Sequence, residues 1–308
     1  MSPSELSPSF RKLPDPVLSP SGEGFDSKNT YNPAVVKHRG TFVMLYRAEA
    51  KEDKITGRIG LALSEDGINF VRHPEPVMEP EYGWERVGVE DPRVVRVGKT
   101  YYLTYTGYDG KTARLCIATS KNLLDWKKHG PLFEEFPFKK NGKPNWTKSG
   151  AVLTEKMKSG PFKGRYIMYF GDSNVWLAHS EDLLHWEYEA KPVLTPRGHL
   201  VEPGPPPVAT GEGILLIHNE AFWNAKGLVY TVQGALFDWE DPRKLLWRTD
   251  RPVLEPEFEW EKKGWVDNVV FAEALVEHGG RFYLYYGGAD RHVGLAIGMW
   301  EKQKFSPE

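Results

Sequence analysis

Glu90 and Asp91 stand side by side in GVEDPRVV, Gly88 to Val95, followed by Pro92 and Arg93 at the head of an apolar run. A carboxyl group in a narrow, partly desolvated pocket keeps its proton to higher pH, and a like charge beside it raises one of the pair further. Such a group can hand a proton to a leaving oxygen near neutral pH, the step that glycosyl transfer requires. In an extended segment, neighbouring side chains point to opposite faces, so only one of the two acids is expected to meet a reacting bond. The other is left to bind hydroxyls or to pair with Arg93, which reads first as a strut holding a carboxylate.

The scaffold that must position these acids is written as an internal repeat. YNPAVVKHRGTFVMLYRAE, EDPRVVRVGKTYYLTYTGYDG, KSGAVLTEKMKSGPFKGRYIMYFGD, GPPPVATGEGILLIHNEAF and VDNVVFAEALVEHGGRFYLYYGGAD share one pattern. Each opens on a small residue or proline, then an apolar pair, a Gly-bearing turn and an alternating aromatic strand. Taking Val35, Val94, Val152, Val208 and Val270 as equivalent gives a period of about sixty residues. Three hairpins continue into a third strand with a shared signature, RIGLALSEDGINF, RLCIATSKNLLDW and NVWLAHSEDLLHW. Period-two alternation rich in Tyr, Phe, Val and Ile predicts strands throughout, with at most a helical turn or two near the N-terminus. A four-stranded unit repeated five times predicts an all-β fold, a five-bladed β-propeller with its site at the mouth of the central channel. One propeller domain is expected over residues 1–308, with 1–28 as an N-terminal extension and HVGLAIG either returning to its own blade or completing the ring with N-terminal residues. The innermost strand of each blade would start at the channel mouth, bringing together Asn32, Glu90–Asp91–Arg93, Lys148–Ser149, Glu202–Pro203 and Asp267–Asn268.

Composition narrows the function classes. The chain has 308 residues, with 40 basic against 42 acidic side chains, and no basic stripe to meet nucleic acid or an anionic membrane. Aromatics make up 13% of it, including 11 tryptophans, which serve equally well as a sugar-stacking cleft or as core filler. Its single cysteine, Cys116, lies in the alternation ARLCIATS and reads as core, leaving no intramolecular disulfide and no cysteine-built zinc site. Asp267, Glu273 and Asp290 fit no calcium-loop spacing, so neither a metal nor another cofactor is expected. MSPSELSPSFRKL has no apolar h-region, and no long apolar run follows it, so a cytoplasmic protein is expected.

NPAVV, LYRAE, GRIGLALSEDGINF, GVEDPRV, YTGYDG, NWTKSGAV, VWLAHSEDLLHW, GPPPVAT, VVFAEAL and YYGGAD, in this order, resemble glycoside hydrolase family 130 from about Asn32 to Gly298. That family comprises β-mannoside phosphorylases and β-mannosidases on five-bladed propellers. The resemblance implies that Asp91 is the proton donor, in the phosphorylases by way of a sugar hydroxyl. It also implies that Asn32, Arg47, Arg58, Tyr108, Asp109 and Asp290 surround the mannose of the cleaved unit. Glu90, Lys148 and Glu202, at the channel mouth, are expected to bind substrate as well.

The sequence departs from the phosphorylase pattern where basic side chains would hold inorganic phosphate. Phe170 and Gly171, Leu200, Asn219 and Ala272 stand in those segments, and the acids Glu202, Glu220 and Glu273 appear there. Carboxylates repel phosphate and suit an inverting hydrolase, which needs a base for water across the sugar ring from the acid. Glu220 and Glu273 are expected to hold that water, with Glu202 third. The expected activity is therefore hydrolysis of β-linked manno-oligosaccharides, β-1,2-linked among the options, without phosphate. Alternatives are a phosphorylase using Arg197, His199 and Lys148, a non-catalytic sugar-binding propeller, and a five-bladed glycosidase of another clan. His218 reads as a packing residue. The loops EFPFKKNGKPNW and FWNAKG, with Trp146, Phe222 and Trp223, would roof the acceptor side, and a homo-oligomer is compatible with the chain.

Overall fold

Alternating apolar and aromatic segments separated by Gly-bearing turns have little choice but to pair as antiparallel meanders, and each repeat does so. The computed structural model describes residues 9–299, apart from 52, 134, 135, 137, 138, 141, 142, 145 and 226. Half of the EFPFKKNGKPNW loop lies outside the described residues.

Five antiparallel sheets form the blades of a β-propeller. Blade one runs outward through Asn29–His38, Thr41–Glu49, Arg58–Ser64 and Val71–Arg72, and blade two through Gly88–Val97, Thr100–Tyr108, Ala113–Ser120 and Lys127–Pro131. Blade three comprises Ala151–Val152, Tyr166–Phe170, Trp176–Ser180 and Glu187–Tyr188. Blade four has Leu200–Pro203 and Val208–Ala209 inside, then Ile214–Asn224, Gly227–Phe237 and Leu245–Arg248. Blade five uses Val270–His278, Arg281–Gly288 and His292–Met299, and its outermost strand is Ser9–Lys12 from the other end of the chain. Residues 9–12, expected as part of an extension, thus close the ring.

Blade sheets bury both faces, because each gap between neighbouring blades holds its own apolar cluster. Leu45, Ile59, Leu103 and Tyr105 fill the gap between blades one and two. Leu115, Val152 and Phe170 fill the next, and Tyr169, Leu177 and Leu216 the one after. Ile217 with Leu284, and Met44 with Leu295, complete the circle.

Three blades share a buried polar clamp. A tyrosine of the second strand donates to an acid in the loop ahead of the blade, and a cation on the outermost strand pairs with the same acid. The sets are Tyr46 (3.0 Å) and Arg72 (2.8 Å) on Asp26, Tyr105 (2.8 Å) and Lys128 on Glu85, and Tyr286 (2.7 Å) and Lys12 (2.7 Å) on Glu261. Burying the acids this way leaves no charge unpaired.

Blade five departs from the expected register. The pairs His38↔Thr41, Val97↔Thr100 and His278↔Arg281 flank equivalent two-residue turns, so Leu275, not Val270, matches Val35 and Val94. Val269–Val270 imitates the apolar pair of the other blades, and the imitation shifts the alignment. Asp267 consequently stays outside the channel, exposed and paired with Lys263 at 2.7 Å. Glu273 takes the inner position.

Candidate active site

The inner strands lose their regular pairing where they begin. Register slips occur between Tyr31 and Pro33, between Glu90 and Arg93, and between Ala272 and Ala274. Asn32, Asp91 and Ser149 all have left-handed backbones, at φ 48°, 51° and 57°. Such conformations are uncommon outside glycine and collect at functional sites, where a bulge re-aims a side chain.

Asp91 shows the consequence. Its twisted backbone cancels the alternation expected of a strand, so Glu90 and Asp91 do not diverge. One guanidinium serves both: Arg47 Nη1 is 3.0 Å from Asp91 Oδ1 and Nη2 is 3.1 Å from Glu90 Oε1. The fork of arginine suits two adjacent carboxylates in a way that an ammonium could not. Glu90 also accepts from the Thr56 hydroxyl. A Cβ on Gly88 would stand 2.6 Å from that hydroxyl and 2.7 Å from the Glu90 carboxylate, so glycine is needed there.

Lys148 reaches the same place from blade three. Its ammonium is 3.7 Å from Asp91 Oδ2 and 3.6 Å from Glu202 Oε2, and the Ser149 hydroxyl donates to Glu202 at 2.7 Å. Asp91 and Glu202 therefore face one another across a single cation. Asp290 completes the group, sensing Arg47, Asp91 and Lys148, through a left-handed turn at φ 51°.

Arg93 points the other way and ties blade two to blade four. Its Nε and Nη2 donate to the carbonyls of Gly204 and Pro203, at 2.8 and 2.9 Å, and Nη2 lies 3.0 Å from Glu273 Oε1. It is a strut, as expected, but the carboxylate it holds is Glu273 and not Glu90. Neither Glu273 oxygen gains a well-formed hydrogen bond, although the Asn32 side chain also acts on this carboxyl and favours its ionised form.

Burial would push the Asp91 carboxyl up, but Arg47, Lys148 and Arg93 together outweigh it and hold the group below its usual range. This reverses the expectation of a raised acid. Glu90 moves up, because burial wins there against Arg47. Burial likewise lifts Glu202 to about 7 against the pull of Lys148, and Glu273 to about 8 against Arg93. Asp290 rises to about 6, again by burial and in spite of Arg47.

The remaining expected residues lie elsewhere. Glu220 is fully buried, with Arg248 Nη2 at 2.6 Å, the Gly198 amide at 3.1 Å and the Arg197 amide also donating to it. No contact among the described residues joins it to Asp91. Its arginine sits on the outermost strand of blade four, as Arg72, Lys128 and Lys12 do in their blades, so Glu220 closes a variant of the clamp in which the acid lies on the strand Ile214–Asn224 itself. Arg58 is held by Asp53 and Glu79, both at 2.7 Å. Asp109 closes a turn and pairs with Arg114 at 2.7 Å; burial opposes the shift, yet that arginine and the turn amides bring it down to about 2. Tyr108 lies 5.8 Å from Trp146 at the rim. His199 and Trp223 meet at 5.9 Å, with Trp223 exposed. His218 is buried, and burial lowers its basicity.

Several channel residues escaped the sequence reading. Glu49 accepts from Asn29 (3.0 Å) and Tyr31 and lies 3.5 Å from Arg47, while the Tyr31 ring stacks under that guanidinium at 4.8 Å. Asp172 acts on Lys148, Glu202 and Tyr230. Its signal was present: like Asp109 and Asp290, it follows the aromatic second strand of its blade.

Comparison with known proteins agrees with this architecture. A family model described as beta-1,4-mannooligosaccharide phosphorylase matches residues 9–303. The chain is 38% identical to a 1,2-beta-oligomannan phosphorylase of Thermoanaerobacter sp. (strain X514), over 96% of this chain and 99% of that one. A beta-1,2-mannobiose phosphorylase of the same organism is 37% identical, over 94% and 97%. Among solved structures, one superposes with a TM-score of 0.87 at 33% identity, covering 100% of this chain and 98% of that one. It comes from work describing family-130 mannoside phosphorylases that include glycoside hydrolases targeting beta-1,2 mannosidic linkages in Candida mannan. A glycosyl hydrolase from Bacteroides ovatus superposes at 0.86 with 33% identity, over 99% and 97%.

Proposed function

The chain belongs to glycoside hydrolase family 130, and from that premise we propose that it cleaves β-linked mannosides by an inverting displacement that hands the mannosyl group to water. That it is a mannoside-acting enzyme is the part its relatives support most broadly. The observation that carries the water reading is the charge of the channel. Among the described residues, the channel-mouth cations Arg47 and Lys148 and the deeper Arg93 each already face a carboxylate, and Asp172 and, above about pH 6, Asp290 add further negative charge. A phosphate dianion would enter against that field.

In this reading Asp91 is the acid and Glu202 the base. Both lie within 4 Å of one ammonium, so the oxygens facing it are at most about 7.3 Å apart, a bound that admits the lower end of inverting spacings. Glu202 replaces Glu220 and Glu273 as first choice: Glu220 is locked by Arg248, and Glu273 is sealed beneath Arg93. A pyranose seated between Asp91 and Lys148 draws the ammonium off Asp91 and raises its pKa, arming it to protonate the glycosidic oxygen directly or through a sugar hydroxyl. Glu202 takes a proton from water, the water oxygen bonds to the anomeric carbon, and the bond to the leaving sugar breaks.

Phosphorolysis is the second reading, and the relatives favour it: both curated proteins above are phosphorylases, as is the family description. It requires Lys148 or Arg47 to leave its carboxylate for phosphate. Incubation with β-1,2-mannobiose in phosphate-free buffer separates the two. Free mannose supports transfer to water, and strict dependence on phosphate with release of mannose 1-phosphate would establish phosphorolysis in its place.

A further inference from the structure

Trp265 is 60% exposed, yet it is held firmly. Its loop leads into blade five, and the amides of Trp265 and Val266 both donate to the carbonyl of Ala289, at 2.9 and 3.2 Å. Ala289 and Asp290 are consecutive left-handed residues, φ 48° and 51°, so one short turn aims Asp290 into the channel and the Ala289 carbonyl at this loop. The fit is close: a Cβ on Gly264 would lie 2.3 Å from that same carbonyl. The Lys28 ammonium stands 3.8 Å from the centre of the indole and 3.3 Å from Glu49 Oε2, which fixes the plane of the ring. Glu49 in turn contacts Arg47, which contacts Asp91.

We propose that Trp265 is a stacking platform for a pyranose of the substrate chain beyond the two sugars joined at the cleaved bond, so that it sets a preference for longer mannosides. This rests on the function proposed above. A single indole with charged neighbours (Lys28, Lys263 and Asp267) suits a sugar, which offers a C–H face to the ring and hydroxyls to the charges. A second protein copy would want a broader apolar patch than Trp265 and Val266 provide. The ring is linked to Asp91 through the run of contacts Lys28, Glu49 and Arg47, so the platform is assigned to a sugar further along the chain than the two joined at the cleaved bond.

The test is calorimetric titration of β-1,2-mannobiose and β-1,2-mannotetraose into Asp91→Asn, with and without Trp265→Ala. Loss of the platform should weaken the tetraose about tenfold while changing the disaccharide less than about twofold, and Trp265→Phe should recover most of the loss. Equal effects on both ligands, or none on the tetraose, overturn the platform while leaving the functional reading intact. Failure of Asp91→Asn to bind either mannoside overturns both. Dimerisation that Trp265→Ala abolishes, with tetraose affinity unchanged, would reassign the ring to self-association.

Discussion

Lys148→Met probes the division of labour between Asp91 and Glu202. The ammonium lies 3.6 Å from Glu202 and 3.7 Å from Asp91, and its side chain is mostly buried. A unit charge at that range contributes about 1 kcal/mol if screened as in water and about 4 kcal/mol at an effective dielectric of about 20. That is about one to three pKa units on each carboxylate. A cation favours the ionised form, so removing it moves Glu202 upward from about 7. A general base works only when ionised, and kcat, taken at saturating substrate, reports the complex in which Asp91 has regained its proton. The wild-type acidic limb should therefore centre near pH 7, with about a tenth of the plateau left one unit below it. In Lys148→Met that limb should move to higher pH by at least about one unit. Asp91 rises too, so the whole profile shifts to the alkaline side instead of narrowing. The assay is initial rates of mannose release from β-1,2-mannobiose between about pH 5 and about pH 9, with Glu202→Gln alongside. A limb that stays in place or moves down in Lys148→Met would refute the argument. So would an acidic limb that survives unchanged in Glu202→Gln.

Asp91→Asn should lower kcat by about a hundredfold to ten-thousandfold with mannobiose affinity retained, checked by rates and titration together. Glu220→Ala strands Arg248 in the interior and should cost about 3 kcal/mol or more, seen as a lower melting temperature, while kcat well below the melt stays within about twofold. A collapse of kcat with an unchanged melt would return Glu220 to the chemistry. Glu202 binds its proton more tightly folded, at about 7, than its ordinary value of 4.5, so between those values the native state holds more protons. Stability falls as pH rises through that window, by about 3 kcal/mol in all. Glu202→Gln should therefore melt higher than wild type at about pH 8.5 and gain much less at about pH 5, and equal gains at both would contradict the linkage.

The propeller was legible because its repeats are spelled in apolar pairs and Gly turns, a signal that survives without contacts. The slip in blade five arose because Val269–Val270 copies the pair better than Leu275 does; the Gly279–Gly280 turn carried the correct register. Asp91 was legible as a site, but not its orientation or its low pKa. Both depend on a left-handed φ and on Arg47 and Lys148, which approach from other blades. Glu220 misled for a related reason: neighbouring strand positions look alike in sequence, and only the distant Arg248 shows that this carboxylate closes a clamp. Asp172 is visible as a recurrent acid after the aromatic strand, but its action on Lys148 and Glu202 is set by contacts between segments far apart in sequence.

Among the described strands, Ser9–Lys12 precedes all the others and pairs with His292–Met299, which follows them. It must stay unpaired until blade five has formed, a long-range closure that slows folding. Deleting the first dozen residues would leave His292–Met299 with a bare apolar edge, an invitation to pair with another chain. Lys12, anchored on the buried Glu261 by its own side chain, pins that seam, so losing the strand would also leave a buried carboxylate without its cation.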